Sequence, residues 1–194
     1  MTLRRNAMSN KPLQRTIGRG RPLAAERQGV RRTTHMARFF NAAVNCGSDQ
    51  AAAKRIAEAF NSYAIEVSPG IVTICETWYG IGEDQGWHVS IDPQGAWYDG
   101  DSTRVELLTP KAQAAIARAI HEKLRGCHGY LVADIGWEMQ DCINISETLG
   151  EFISEWVVVR ADLRHLVSEN LKLVPFSEGY LRAAGMADGD EVGA

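Results

Sequence analysis

Cys75, His88 and Asp92 are the residues of this 194-residue chain whose types and spacing come nearest to a nucleophile, a base and an orienting acid. Ile71 to Trp78 and Trp87 to Asp92 read as consecutive strands. In the first, Thr73, Cys75 and Thr77 share one face, and Val72, Ile74, Glu76 and Trp78 share the other. In the second, His88, Ser90 and Asp92 lie opposite Trp87, Val89 and Ile91. Cys75 and His88 thus both sit opposite their strands' bulky apolar side chains. With a suitable register they would form a Cys-His-Asp thiol site on the sheet. Such a site needs an accessible thiol of lowered pKa. The competing expectation is inert packing, since cysteine is among the residues most often buried.

The other groups with chemical potential are weaker. Cys46, Cys75, Cys127 and Cys142 contain no Cys-x-x-Cys pair, and without a signal segment they are expected to be reduced. Cys127 and His128 adjoin, and neighbours on a strand point to opposite faces, so they make no ligand pair. Asp99-Gly100-Asp101 with Glu106 lacks the ligand spacing of a calcium loop and reads as a turn. The loop from Gly80 to Gly86 is Gly-rich, yet its two acids and missing Lys make it a poor phosphate cradle. Glu138 and Asp141 become a carboxylate pair only if a helix or tight turn holds them together. No cofactor or metal is expected from these residues.

The elements that must position these groups alternate between helix and strand. Ala37 to Val44 reads as a strand. Ser48 is placed to cap a helix whose apolar stripe is Ala52, Ala53, Ile56, Ala57 and Phe60, running to about Tyr63. Ile65 to Val67 follows, then the turn signal Ser68-Pro69-Gly70. Asp92-Pro93-Gln94-Gly95 is a second turn, leading to Ala96-Trp97-Tyr98. Thr109 caps a helix that has Pro110 at its first position and buries Ala112, Ile116, Ile120 and Leu124, with Gly126 stopping it. Tyr130 to Ile135 is the next strand. The order β-α-β-β-(β)-α-β predicts an α+β fold: an antiparallel sheet with two helices packed on one face, a ferredoxin-like or related sandwich, plus a C-terminal helical or mixed extension. Residues 149–167 fit one helix, although the β-branched run at Trp156 to Val159 fits a strand equally well. Pro175 is expected to end the element before it.

Charge divides the chain in two. Residues 1–35 hold nine Lys+Arg and the single acid Glu26, for +8, while the other 159 residues hold 12 bases and 23 acids, for −11. The basic segment lacks apolar periodicity and is broken by Pro12, Gly18, Gly20, Pro22 and Gly29. It is expected to be disordered, with residues 36–186 forming a single α+β domain and 187–194 a frayed tail. Arg19-Gly20-Arg21-Pro22 resembles the core of an AT-hook, a minor-groove-reading peptide, but its flanks lack the Lys and Arg that hooks carry. An early start assignment, with the body beginning near Met36, explains the segment better. It contains no apolar stretch of the roughly 7–15 residues a secretory signal requires, and no run approaches the roughly 18 residues of a membrane span. A cytoplasmic protein is expected.

Within the body the acids are concentrated. Residues 56–103 contain eight acids and no Lys or Arg, and residues 126–159 contain six acids and again no base. Residues 104–125 carry five bases and two acids. A solvated face that only aids solubility usually intersperses both signs, because like charges repel over a Debye length of about 8–10 Å. Five Trp lie in or beside the acidic stretches. Acids bearing aromatics have the composition of a surface that steers in a basic partner and anchors it. Nucleic acid is a poor partner for such a body, since its phosphates would be repelled.

The sequence therefore points first to a non-enzymatic acidic binding protein that occludes a basic partner protein. Its profile is that of the immunity or antitoxin-like inhibitors that bacteria use against their own toxins. A bacterial source is assumed only from the Ala-rich, Lys-poor composition. The contact residues expected are Glu76, Glu83, Asp84, Trp87, Asp99, Asp101, Trp137, Glu138 and Asp141. The second expectation is a small cytoplasmic enzyme using Cys75, His88 and Asp92.

Overall fold

The Asp49 side chain starts the first helix: its Oδ1 accepts from the Ala52 N–H at 2.8 Å, satisfying a donor that the helix itself leaves unpaired. The cap thus falls one residue later than expected. Gly47, at a φ of 55°, and the bond from Asp49 N–H to Cys46 C=O (3.1 Å) keep Ser48 within the preceding turn. The computed structural model describes residues 38–98, 104–139 and 154–185. The expectations for residues 1–35 and 187–194 lie outside them.

The elements in chain order are β1 (Arg38–Asn45), α1 (Gln50–Phe60), β2 (Ala64–Ser68), β3 (Ile71–Ile81), β4 (Trp87–Pro93) and β5 (Trp97–Tyr98). Then come α2 (Pro110–Leu124), β6 (Val132–Trp137), β7 (Val158–Arg160), β8 (Leu173–Ser177) and β9 (Tyr180–Ala183). Short 3-10 helices occupy Val105–Leu107 and Ala161–Leu166. The strands form one sheet in the order β2-β3-β4-β1-β6-β7-β9-β8, with antiparallel pairing throughout, and β5 joins the start of β1. The fold is α+β.

Both helices lie on one face of the sheet. α1 buries Ala52, Ala53, Ile56, Ala57 and Phe60. Its alanines let it approach β3 so closely that the Thr77 hydroxyl donates to the Ala57 C=O at 3.0 Å. α2 is capped by Thr109, whose hydroxyl accepts from the Ala112 N–H at 3.2 Å, and Pro110 opens it. It buries Ile116, Ile120 and Leu124 in the same core as Phe40, Val44, Val89, Ile91 and Ile135.

The C-terminal third extends this sheet instead of adding a long helix. Val158–Arg160 is a strand and Ala161–Leu166 a 3-10 helix, so a single helix through Val167 is excluded. Three consecutive valines, β-branched and stiff at χ1, fit a strand buried on both faces, and Val157, Val158 and Val159 are each fully buried. Pro175 lies inside β8, where the position is tolerated because β8 is the sheet's edge. α2 holds the extension through Arg125, whose guanidinium donates to the Phe176 C=O and lies 4.6 Å from the Phe176 ring centroid.

The opposite face of the sheet is only partly covered. Around β6, β7 and β9 a smaller apolar cluster forms, in which Ala43, Val132, Val159 and Ala183 meet Met139, Leu163 and Leu166. Among the described residues, that face is half-covered at β4 and most exposed at β3, where Val72, Ile74 and Trp78 stand out.

Candidate interaction surface

The register of β3 and β4 separates the residues of the thiol site. Cys75 pairs with Pro93, whereas His88 pairs with Gly80, five residues further along β3, a distance of about 17 Å at the rise of an extended strand. An odd number of steps also places the two on opposite faces. Cys75 points under the helices and is 1% exposed, while His88 lies on the outer face. Burial, and secondarily the charge of Asp92, push the Cys75 thiol up to about 12. The Cys75–His88–Asp92 arrangement is therefore excluded as a nucleophilic centre.

His88 and Asp92 have other partners. The His88 Nε2 meets Asp84 Oδ1 at 2.8 Å. Asp84 also accepts from the Gly86 N–H (2.9 Å) and the Asn45 Nδ2 (3.0 Å), closing the loop after β3. Partial burial alone would raise the Asp84 pKa; these hydrogen bonds outweigh it and hold the carboxyl below its ordinary value. Asp92 accepts from the Ser90 hydroxyl (2.8 Å) and from Asn41 Nδ2 (3.1 Å), and Asn41 Oδ1 takes the Met139 N–H at 3.0 Å. Burial pushes the Asp92 pKa upward against these bonds, with Glu76 adding repulsion. Asp84 thus holds the loop backbone directly, and Asp92 holds Asn41, which in turn takes the Met139 N–H.

β3 presents its alternation the other way round from the usual arrangement, with its small polar side chains inside. Thr73 and Cys75 are buried, whereas Val72 (44% exposed), Ile74 (44%) and Trp78 (59%) stand in solvent with Glu76 between them. The helix positions just above this part of the sheet explain the inversion: α1 comes too near for a large side chain at Thr77. Glu76 accepts from Gln94 Nε2 at 2.5 Å and lies opposite Asp92. At the far end of the stripe Arg104 donates to the Val72 C=O at 2.8 Å and pairs with Glu106.

The expected contact residues do not form one surface. Glu76 belongs to this outer stripe, and Glu83 is exposed in the loop that follows β3. Asp84 is turned inward, as described. Trp87 lies on the helix side, packed against the core and 6.2 Å from the Tyr79 ring. Trp137 is also on that side, edge-on to Phe40 at 5.8 Å, and 37% exposed. Glu138 sits in the left-handed region, at a φ of 59°, with its N–H donating to the Phe39 C=O at 2.7 Å. Asp99, Asp101 and Asp141 lie outside the described residues. The residues missed are Val72, Ile74 and Trp78; Glu76 inside their stripe was the signal, because a carboxylate seldom shares a buried sheet face without a partner.

Among the described residues no group of three or more His, Cys, Asp or Glu is placed to hold a metal ion. No helix among them is long and apolar enough to cross a membrane. No known family model, curated protein or solved structure matches this chain.

Proposed function

We propose that this protein is a binding module that covers a basic surface of another protein, in the manner of an immunity or antitoxin-like inhibitor of a toxin. The observation that carries the reading is the outer stripe of β3. Three large apolar side chains are exposed there around Glu76, in a stretch of 48 residues that contains eight acids and no Lys or Arg. Exposed apolar patches rimmed by charge mark interaction sites. An acidic rim speeds the approach of a cationic partner, while a central Trp supplies contact area. The basic active site of a nuclease is one surface of suitable charge, since it is built to bind phosphate.

The test uses the full chain as bait in native lysate, beside a bait carrying Glu76→Lys, Trp78→Lys and Glu83→Lys. All three residues are exposed, so the variant should fold. The expected result is one stoichiometric basic protein on the native bait, released by salt, with at least about a tenfold loss of affinity on the variant. Equal capture by both baits, or a captured protein that is acidic, rejects the reading.

A further inference from the structure

We propose that the open edge of β3 pairs with the same edge of a second copy of this chain, joining two sheets across a two-fold axis at Tyr79. β2 covers only the first part of β3, pairing Ala64 with Ile74 and ending that ladder. The last bonds on this side are those of Cys75, whose N–H donates to the Tyr63 C=O (2.9 Å) and whose C=O accepts from the Ser62 N–H (3.0 Å). Successive residues of a strand turn their backbone groups to alternate sides. Thr77, Tyr79 and Ile81 therefore aim their N–H and C=O groups at the same edge as Cys75, away from β4. Among the described residues nothing pairs with those groups.

Natural sheets guard such an edge with Lys, Pro, a bulge or a covering segment. Residues 77–81 are Thr-Trp-Tyr-Gly-Ile, with neither Lys nor Pro. The side chains beside the edge are exposed as well: Trp78 at 59%, Tyr79 at 38% and Ile81 at 57%.

Self-complementarity selects a second copy as the occupant. With Tyr79 opposite its counterpart, Thr77 faces Ile81 of the second copy, and every open N–H and C=O along the edge finds a partner. Shifting the register by two residues leaves some of them unpaired. In the same register Trp78 comes opposite Gly80 of the second copy. The Trp78 indole already lies over its own Gly80, where a Cβ would be 2.6 Å from Trp78 Cζ2. Each large indole thus meets a residue with no side chain, on both sides of the axis. Tyr79 packs on Tyr79 on the helix side, and the exposed stripes of the two copies become one continuous face. Glu76 and Glu83 of the two copies approach one another at the ends of the pairing, so self-association should tighten as salt screens them. Capture of a basic partner has the opposite salt dependence, so the two proposals stand or fall separately.

Sedimentation velocity of the full chain over a range of micromolar concentrations tests this, with Tyr79→Pro and Ile81→Lys as separate variants. The Tyr79 N–H makes no bond within the sheet, so proline removes only the edge donor; if Tyr79→Pro fails to fold, Ile81→Lys at an exposed position carries the test. The expected result is a reversible dimer that tightens with salt and is weakened at least about tenfold in either folded variant. A monomer at all concentrations, a dimer that loosens with salt, or a dimer unchanged in a folded variant overturns the proposal.

Discussion

The carboxylate of Asp134 holds Ser154 from two directions: the Ser154 N–H donates to Oδ2 at 2.9 Å, and the Ser154 hydroxyl reaches Oδ1. The same hydroxyl oxygen lies 2.8 Å from the Ile135 C=O and accepts from the Trp156 N–H at 2.9 Å. One hydroxyl has one hydrogen. If Asp134 is ionised, Ser154 must give that hydrogen to the carboxylate. If Asp134 is protonated, its own O–H donates to Ser154, and Ser154 donates to the Ile135 C=O. The second arrangement satisfies more groups. Asp134 is only 3% exposed, and burial pushes its pKa up to about 6 against the hydrogen bonds it accepts.

A stability profile follows from this. The folded pKa lies above the ordinary carboxyl value, so the protonated form suits the fold better. Asp134 costs nothing below about pH 4, and stability is lost as pH rises from there to about 6. The full cost above that window is on the order of 2–3 kcal/mol. Asp134→Asn should abolish this part of the profile and unfold later in urea than the native chain at neutral pH. A native-minus-variant stability difference that stays level or rises with pH through the window would refute the assignment.

His121 titrates with the opposite sign. Its Nε2 lies 2.8 Å from the Trp156 C=O and so carries the proton, leaving Nδ1 buried without a partner among the described residues. Burial lowers its pKa to about 4; the bond to Trp156 opposes this, and the charges of Arg182 and Arg125 reinforce it. A neutral imidazole is therefore built into the core, and its contribution is lost as pH falls from about 6.5 to about 4. NMR of the ring protons should show no titration until near pH 4. A midpoint close to the ordinary histidine value would contradict the packing described.

The cysteines provide a direct check on which face is inside. Cys46 and Cys75 are 2% and 1% exposed, and burial raises both thiols to about 12. Cys127 is half-buried. In the native protein at neutral pH, iodoacetamide should modify Cys127 before Cys46 or Cys75, with Cys75 reacting only on unfolding. Rapid labelling of Cys75, read by peptide mass mapping, would return the thiol chemistry to consideration.

Trp78 and Phe60 should differ sharply when truncated to alanine, although both are large aromatics close in sequence. Phe60 is fully buried beneath the sheet, and Phe60→Ala should cost about 3–5 kcal/mol. Trp78 is mostly in solvent, so Trp78→Ala should cost less than about 1 kcal/mol. Urea denaturation compares the two, and a Trp78 cost equal to that of Phe60 would mean that the stripe is not a free surface.

Tyr180 bridges the extension to the main core. Its hydroxyl donates to the Tyr130 C=O at 3.0 Å and accepts from the Gly129 N–H at 3.1 Å, with the two rings stacked 4.2 Å apart. Tyr180→Phe keeps the stack and strands the buried Tyr130 C=O and the partly buried Gly129 N–H, for an expected loss of about 1–3 kcal/mol by denaturation. No measurable loss would place water at those groups instead.

Much of the scaffold was legible because its signals are local. Thr109-Pro110 opens α2, the stripe Ala112, Ile116, Ile120 and Leu124 is buried as its spacing requires, and Gly70 makes its turn at a φ of 78°. Helix caps, turns and periodicity depend on residues within a few positions of one another, and the sequence carries that information directly. The α+β class follows from the order of those elements.

The faces and the register were decided by the tertiary structure. Alternation along Ile71–Ile81 divides the side chains into two sets, and it does not say which set is inside. The answer came from packing: α1 approaches β3 closely enough at Ala57 for the Thr77 hydroxyl to reach its C=O, and Thr73 and Cys75 are buried on the same face. The pairing of His88 with Gly80 instead of Cys75 depends on where the loop after β3 closes, through Asp84 and the Gly86 N–H. A shift of one residue in that loop would turn every side chain of β4 to the other face. The sequence by itself thus determined the elements through β6 and the acidity of residues 56–103, while the strands of the C-terminal third were left open. Long-range packing decided that the apolar stripe of β3 faces solvent and its thiol does not.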